Sequence, residues 1–322
     1  MSKLYLTVVL LTCLICTKVF SQTVWSSIQY DSLLQVVHDP STSQRNQLEA
    51  LLAFMTAPSL ASQYDSLLTL SQTAVVLAQQ LETPALLARA LERQGNVLFS
   101  LTRFKEALSI YQQGLEAAQQ TTDSSLIGVL LRSLGAAEYE TGSYTEAEAH
   151  LLQAKALHMA LQDDKAVAKS LGNLLNLYND TGRYDEAITT GKQALALFQD
   201  SSMVSGVLSN LSNPFIYTGQ YDSALLYTQQ ALAIQQALKD TGRQAVSYST
   251  LGNISLVNGD LEAALTYHQL ASVYYEAVGK IQGVAVSQAN MGYIYIQQGD
   301  YQEALVNFQK ASKVFGEQEN PS

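Results

Sequence analysis

The side chains best suited to chemistry in this sequence are four histidines, a few acids and a set of asparagines. His38, His150, His158 and His268 are scattered, and no two of them stand at metal-ligand or triad spacing. Asp163-Asp164 and Asp180 fall near expected loops or helix ends, where carboxylates act as solvated caps. The glycines recur singly and form no phosphate-cradling loop. The sequence therefore predicts no enzyme, no metal site and no cofactor. Asparagine is different, because it recurs in register. Asn96, Asn176, Asn213 and Asn253 share one column, with Ala136 and Tyr293 at its other positions. Three residues earlier run Arg93, Ser133, Asn173, Asn210, Thr250 and Asn290. An asparagine amide both accepts and donates, so it can hold the N–H and C=O of an extended peptide. It also forms helix poorly, about 0.6 kcal/mol worse than alanine, so several at one register invite an explanation. The alternative is that these amides satisfy neighbouring helices or face water.

The columns come from a repeat. Phe104, Tyr144, Tyr184, Tyr221, Leu261 and Tyr301 follow one another at spacings of 40, 40, 37, 40 and 40. Three residues on stand Ala107, Ala147, Ala187, Ala224, Ala264 and Ala304. Seven further come Gly114, Ala154, Ala194, Ala231, Ala271 and Ala311. Two residues before the aromatic, Gly142, Gly182, Gly219, Gly259 and Gly299 form a turn column in which Thr102 is the departure. Twelve before the first alanine are Gly95, Gly135, Leu175, Ser212, Gly252 and Gly292. Apolar residues upstream of each turn recur at helical spacing, as in Leu171, Leu174, Leu175 and Tyr178. Each period is then a helix A, a tight turn and a helix B, with the aromatic expected in the wedge between them. His268 shares a helix-B packing column with Tyr111 and Phe308, which gives it a structural role. One hairpin cannot bury its apolar face alone, so stacking supplies the core.

These columns resemble the tetratricopeptide repeat, in the longer class with a 40-residue period rather than about 34. That class is seen in Pins-type adaptors, kinesin light chains and bacterial sensor arrays. The resemblance implies an all-α, right-handed superhelical solenoid of stacked helix-turn-helix hairpins. It places six repeats over 85–316, with breaks near 124, 164, 201, 241 and 281. Residues 22–84 read as degenerate hairpins, since Tyr30-Asp31-Ser32 and Tyr64-Asp65-Ser66 echo Tyr221-Asp222-Ser223. Residues 317–322 read as a disordered tail. Pro214 sits inside the helix expected to end at Tyr217, near the 37-residue period, either as a local kink or as a bend that reshapes a groove.

In similar arrays, including quorum-peptide receptors, helix A lines a concave face and spaced asparagines hold ligands. The resemblance therefore implies a protein or peptide partner on Asn96, Asn173, Asn176, Asn210, Asn213, Asn253, Asn290 and Tyr293, with Arg89, Arg93 and Arg132 beside them. A chaperone-type carboxylate clamp wants Lys or Arg one turn before the asparagines. There the chain offers Glu92, Arg132, Gly172, Ser209, Ser249 and Ala289, which disfavours it. Sequons at Asn179, Asn210 and Asn253 fall within expected A helices and read as coincidental unless the source is eukaryotic.

Bulk properties narrow the partner further. The 322 residues carry a net charge of −10, with charged residues at 14% against 32 glutamines. An acidic chain without a basic stripe disfavours nucleic acid and anionic lipid. At the N-terminus, Lys3, the apolar run Leu4–Cys16 and Val19-Phe20-Ser21 read as a secretory signal peptide, 1–21, cleaved after Ser21. The rival is an uncleaved anchor, but the run is shorter than the roughly 20 residues a spanning helix needs. Cleavage would remove Cys13 and Cys16 and leave a secreted or periplasmic protein without thiols and without membrane insertion. Two functions follow as expectations. One is a non-enzymatic scaffold holding a partner in its groove. The other is the sensor portion of a membrane histidine kinase or transcription regulator, as in Bacteroidota-type extracytoplasmic repeat regions. The last helix, roughly Tyr301–Phe315, presents an apolar face and is the expected place for self-association.

Overall fold

The computed structural model describes residues 35–37, 39, 41–55 and 64–319. The expected signal peptide, its cleavage site, both cysteines, the Tyr30 echo and His38 lie outside the described residues. Between Gln44 and Glu319 the chain forms α1 (Gln44–Phe54), α2 (Tyr64–Gln80), α3 (Pro84–Ser100), α4 (Phe104–Gln119), α5 (Ser124–Glu140), α6 (Tyr144–Ala160) and α7 (Asp164–Asp180). It continues through α8 (Tyr184–Leu197), α9 (Ser201–Tyr217), α10 (Tyr221–Ala237), α11 (Thr241–Val257), α12 (Leu261–Ala277), α13 (Ile281–Gln298) and α14 (Tyr301–Glu319). All regular structure among the described residues is helical. The fold is all-α, and within each of its two units helices stack on one another, odd-numbered helices from α3 being the A helices and even-numbered ones from α4 the B helices. Two compact units divide it, Met1–Thr141 and Gly142–Ser322.

The turns follow from single residues. Gly182, Gly219, Gly259 and Gly299 all have φ between 73° and 85°, a left-handed conformation that side chains resist. Thr102 takes the same conformation, with φ 58°, where glycine is replaced. The return from helix B to the next helix A has its own left-handed residue, at Glu82, Gln162, Lys239 and Gly279. An aspartate recurs as the N-cap of the A helices, directly after the left-handed residue at Asp163 and Asp240. Asp123, Asp163, Asp200 and Asp240 accept the main-chain N–H of Leu126, Ala166, Met203 and Arg243 at 3.0 Å. Each such cap contributes about 1 kcal/mol. Asp163 is thus the cap its sequence position suggests.

The alanine columns are the packing core. Ala107, Ala147, Ala187, Ala224 and Ala264 are completely buried, as are Ala154, Ala194, Ala231 and Ala271. Helix B also sets a large residue against a small one of helix A, sixteen positions earlier in the sequence. A Cβ on Gly252 would stand 2.7 Å from the His268 ring, and one on Gly292 3.0 Å from Phe308. Gly95 likewise leaves its space to the Tyr111 ring. Leu175, which breaks the small column, faces Gly191, so volume is exchanged between partners and the sum is kept.

The structure departs from the sequence expectations in three places. The aromatic column does not fill the hairpin wedge. Tyr301 is 72% exposed, and Phe104, Tyr184 and Tyr221 are half-buried at the first position of helix B. The alanines already close that wedge, so the rings pack at its rim: Phe104 edge-on to Phe99 and Tyr184 stacked on Tyr217, each at 5.1 Å. The short period arises in α8, which has 14 residues where most of its fellows have 17 and ends in extended backbone at Phe198. Finally, α14 continues through Glu319, into the segment expected as a tail.

Candidate binding face

The N-terminal unit surrounds its asparagine with ions. On α3, Asn96 donates from Nδ2 to Glu92 Oε1 at 2.7 Å and accepts at Oδ1 from the Tyr111 hydroxyl at 2.7 Å. Glu92 is buried and takes Arg93 at 3.3 Å on its other oxygen. Burial pushes the Arg132 guanidinium of α5 down, while the nearby Glu92 carboxylate favours its charged form. Burial beside Glu92 raises the Tyr111 phenol. Arg89 is exposed and reaches Asp123, the cap of α5, at 3.5 Å. Asn96, Glu92, Arg93 and Tyr111 therefore form one polar knot, close enough to Arg132 for the Glu92 charge to act on it, and both ends of the Asn96 amide are engaged within the knot.

In the C-terminal unit the asparagines meet each other. Asn210 of α9 donates to Asn176 Oδ1 of α7 at 2.7 Å. One repeat pair further on, Asn290 of α13 approaches Asn253 Oδ1 of α11 at 3.5 Å. The geometry is the same in both cases: an amide at one column reaches the amide three positions on in an earlier A helix. Asn173 and Asn213 are half-buried and make no side-chain hydrogen bond. Asn253 and Tyr293 are exposed.

Asn179, read from sequence only as a sequon, has a defined task here. Pro214 has no N–H, so the carbonyl four residues before it, that of Asn210, loses its helical partner. The Asn179 Nδ2 of α7 donates to that carbonyl at 2.9 Å. The helix therefore runs through Pro214 to Tyr217, and the same residue, Asn210, is held by α7 at both main chain and side chain. Proline's effect four residues upstream was available from sequence; the identity of the donor, on another helix, was not.

The remaining ionic contacts are structural. Arg183 bonds Glu148 and Glu186 and lies 4.3 Å above the Tyr178 ring. Its hydrogen bond holds Glu148 below the usual carboxylate range, and burial pushes Tyr178 up to about 12. His268 is fully buried beside Gly252 with no hydrogen bond at either ring nitrogen, and that burial lowers it to about 4. No cluster among the described residues could hold a metal ion. No described helix is long and apolar enough to cross a membrane. A shallow cleft beside Arg103 and Glu106, of about 210 Å³, is smaller than the roughly 300 Å³ at which small-molecule pockets begin. What the arrangement offers is a surface of amides and exposed side chains on A helices.

A family model for the tetratricopeptide repeat matches residues 126–200 and 243–317. Those two segments are tetratricopeptide repeats. No curated protein sequence matches it. Among solved structures, the apo form of RapI aligns with TM-score 0.67 at 13% identity over 85% of this chain and 99% of its own. A Rap protein complexed with competence and sporulation factor gives 0.62 at 16%, over 86% of this chain and 78% of that one. A signal-transduction ATPase with a tetratricopeptide repeat sensor, from Pyrococcus horikoshii, gives 0.64 at 16%, over 89% of this chain and 48% of that one. At these identities the likeness is one of fold. The tetratricopeptide scaffold is suited to protein interaction, and its A helices carry the candidate face.

Proposed function

We propose that this chain is a non-enzymatic scaffold that holds an extended peptide, or an extended segment of a partner protein, on its A-helix face. The observation that carries the reading is the amide row of the C-terminal unit. Asn176 and Asn210 stand within hydrogen-bond distance across consecutive A helices, and Asn173 and Asn213 beside them keep unpartnered amides. Such amides can exchange water for the main chain of a bound segment without burying an unmet polar group. The Rap protein solved with its competence and sporulation factor supports the reading by its fold. We further propose export through the signal peptide, cleavage after Ser21 and a secreted or periplasmic location.

The test replaces Asn176, Asn213 and Asn253 together by alanine. Partner capture should be abolished while the helical melt moves little, because only one of the three makes a short internal bond. Unchanged capture removes the proposal. A second reading, the sensor portion of a membrane signalling protein, draws on the exposed face of α14, where Tyr301 and Leu305 are 72% and 58% accessible. It also draws on the likeness to the sensor-bearing ATPase. Intact mass and fractionation of the natural product separate the two. A soluble species matching residues 22–322 supports the free scaffold, and a much larger membrane-held species supports the sensor.

A further inference from the structure

The A helices of the C-terminal unit differ in charge. Helix α7 holds Asp164, Lys165, Lys169 and Asp180, whereas α9 and α13 hold no charged residue at all. Helix α11 holds one, Arg243, in its first turn and bonded to Ser202 and Asp240. In a chain of net charge −10 these three helices present a face without a carboxylate or a free cation.

That face is ordered by register. On α11, Val246, Thr250, Asn253 and Val257 stand at i, i+4, i+7 and i+11, which is one stripe of a helix. On α13, Val286, Asn290, Tyr293 and Gln297 repeat it. Val246, Val257, Val286 and Tyr293 are all more than 40% exposed, large apolar side chains left in water. Asn253 and Asn290 meet between the valine pair and the residues at the other end of the stripes. On α9, Asn213 and the 68%-exposed Tyr217 occupy the same positions as Asn253 and Val257. The face is therefore a row of amides with Val246 and Val286 on one side and Tyr217 and Val257 on the other.

We propose that the face of α9, α11 and α13 selects an extended peptide segment that is itself uncharged. The amides of Asn213, Asn253 and Asn290 hold its main chain, and its apolar side chains cover the valines and tyrosines. A carboxylate or ammonium brought onto this face would lose water and find no counter-charge, which penalises it. Packed helices lie about 10 Å apart, about three residues of extended chain, so three A helices read a segment of roughly seven to nine residues. This rests on the peptide-binding reading above and adds to it the class of ligand.

The test selects peptides from a random library displayed on phage against the full-length chain, then measures each selected peptide in solution by fluorescence anisotropy. Selected sequences should lack Asp, Glu, Lys and Arg at their core, and their affinity should be insensitive to salt. Val246→Lys with Val286→Lys, both at exposed positions, should weaken binding about tenfold or more with an unchanged melt, since buried charge is penalised. Arg89→Ala and Arg93→Ala should leave it unaltered. Acidic selected peptides, screened by salt and lost with the arginine variants, would overturn this inference and leave peptide binding standing on the N-terminal unit. A concentration-dependent dimer abolished by the lysine pair would also overturn it, because a second copy would then be the occupant. If no peptide is selected, and the triple asparagine variant changes no partner capture, the peptide reading fails with it.

Discussion

At the register of Asn96 the N-terminal unit bonds one amide to a buried carboxylate and a phenol, and pairs that carboxylate with a guanidinium group. At the same register of the C-terminal unit, Asn213 has no partner and Asn253 has only a neighbour's amide at 3.5 Å. One repeat grammar thus carries two kinds of polar residue. In the first unit the polar side chains satisfy one another through Glu92 and Tyr111; in the second the amides meet only other amides, at 2.7 and 3.5 Å, or make no side-chain hydrogen bond. Column position alone therefore does not identify a binding residue. What distinguishes them is whether a helix-B side chain reaches across, as the Tyr111 hydroxyl does where Gly95 leaves it room.

The comparison breaks most forcefully at Glu92. Replacing it by alanine takes the acceptor from the Asn96 amide and the carboxylate from the half-buried Arg93 and Arg132, which costs about 1 to 3 kcal/mol. Hydrogen exchange should show that loss in α3–α5. In the second unit, where Ser249 stands at the Glu92 position, even removing the amide by Asn253→Ala should show almost none. Equal protection losses in both would mean the knot does not stiffen the first unit.

His268 sharpens the contrast, because the second unit buries a neutral titratable group where the first buries ions. The unfolded imidazole titrates near 6.5 and the folded one near 4, so the folded state favours the neutral form. Its contribution is complete above pH 6.5 and is lost as pH falls from there towards about 4, by about 3 kcal/mol. His268→Phe, which copies the Phe308–Gly292 pair, should remove this part of the acid sensitivity. Identical stability–pH curves for the two proteins would contradict the lowered value.

Asn179 and Pro214 give the next effect. Asn179→Ala leaves the Asn210 carbonyl without a donor and should cost about 1 to 3 kcal/mol. In a Pro214→Ala background the helix regains its own N–H, and the same asparagine change should cost far less. A double-mutant cycle reads the difference directly. Additive effects would show that the Asn179 bond does not replace the one proline removes.

Much of this was legible in the sequence because the repeat restates its constraints. The glycine turns, the buried alanines, the packing place of His268 and the A and B helices all followed from columns. Features that depend on compensation between columns were not. Leu175 looked like a lapse until Gly191 was found beneath it. The aromatics were assigned to a wedge that the alanines had already closed. The asparagine columns gave the register of the candidate face but not which members are engaged, since Tyr111 and Asn179 act from other helices. The aspartate caps at 123, 163, 200 and 240 were the one missed column with a clear signal, sharing the 40, 37, 40 spacing of the repeat itself.

The return turns supply the smallest effect and the most local test. Gln162 and Lys239 hold φ 55° where Gly279 holds 69° at the equivalent place, so the chain contains its own control. A side chain in the left-handed region costs roughly 1 to 2 kcal/mol. Glycine relieves that strain but adds roughly 0.5 to 1 kcal/mol of unfolded-state freedom. Lys239→Gly should therefore stabilise the C-terminal unit by about 0.5 kcal/mol, a rise in melting temperature of a degree or two in a protein this size. Gly279→Ala should do the reverse by a similar amount, because its Cβ would stand in open space and only the backbone strain is added. If Lys239→Gly destabilises instead, contacts of the lysine side chain must outweigh its backbone strain.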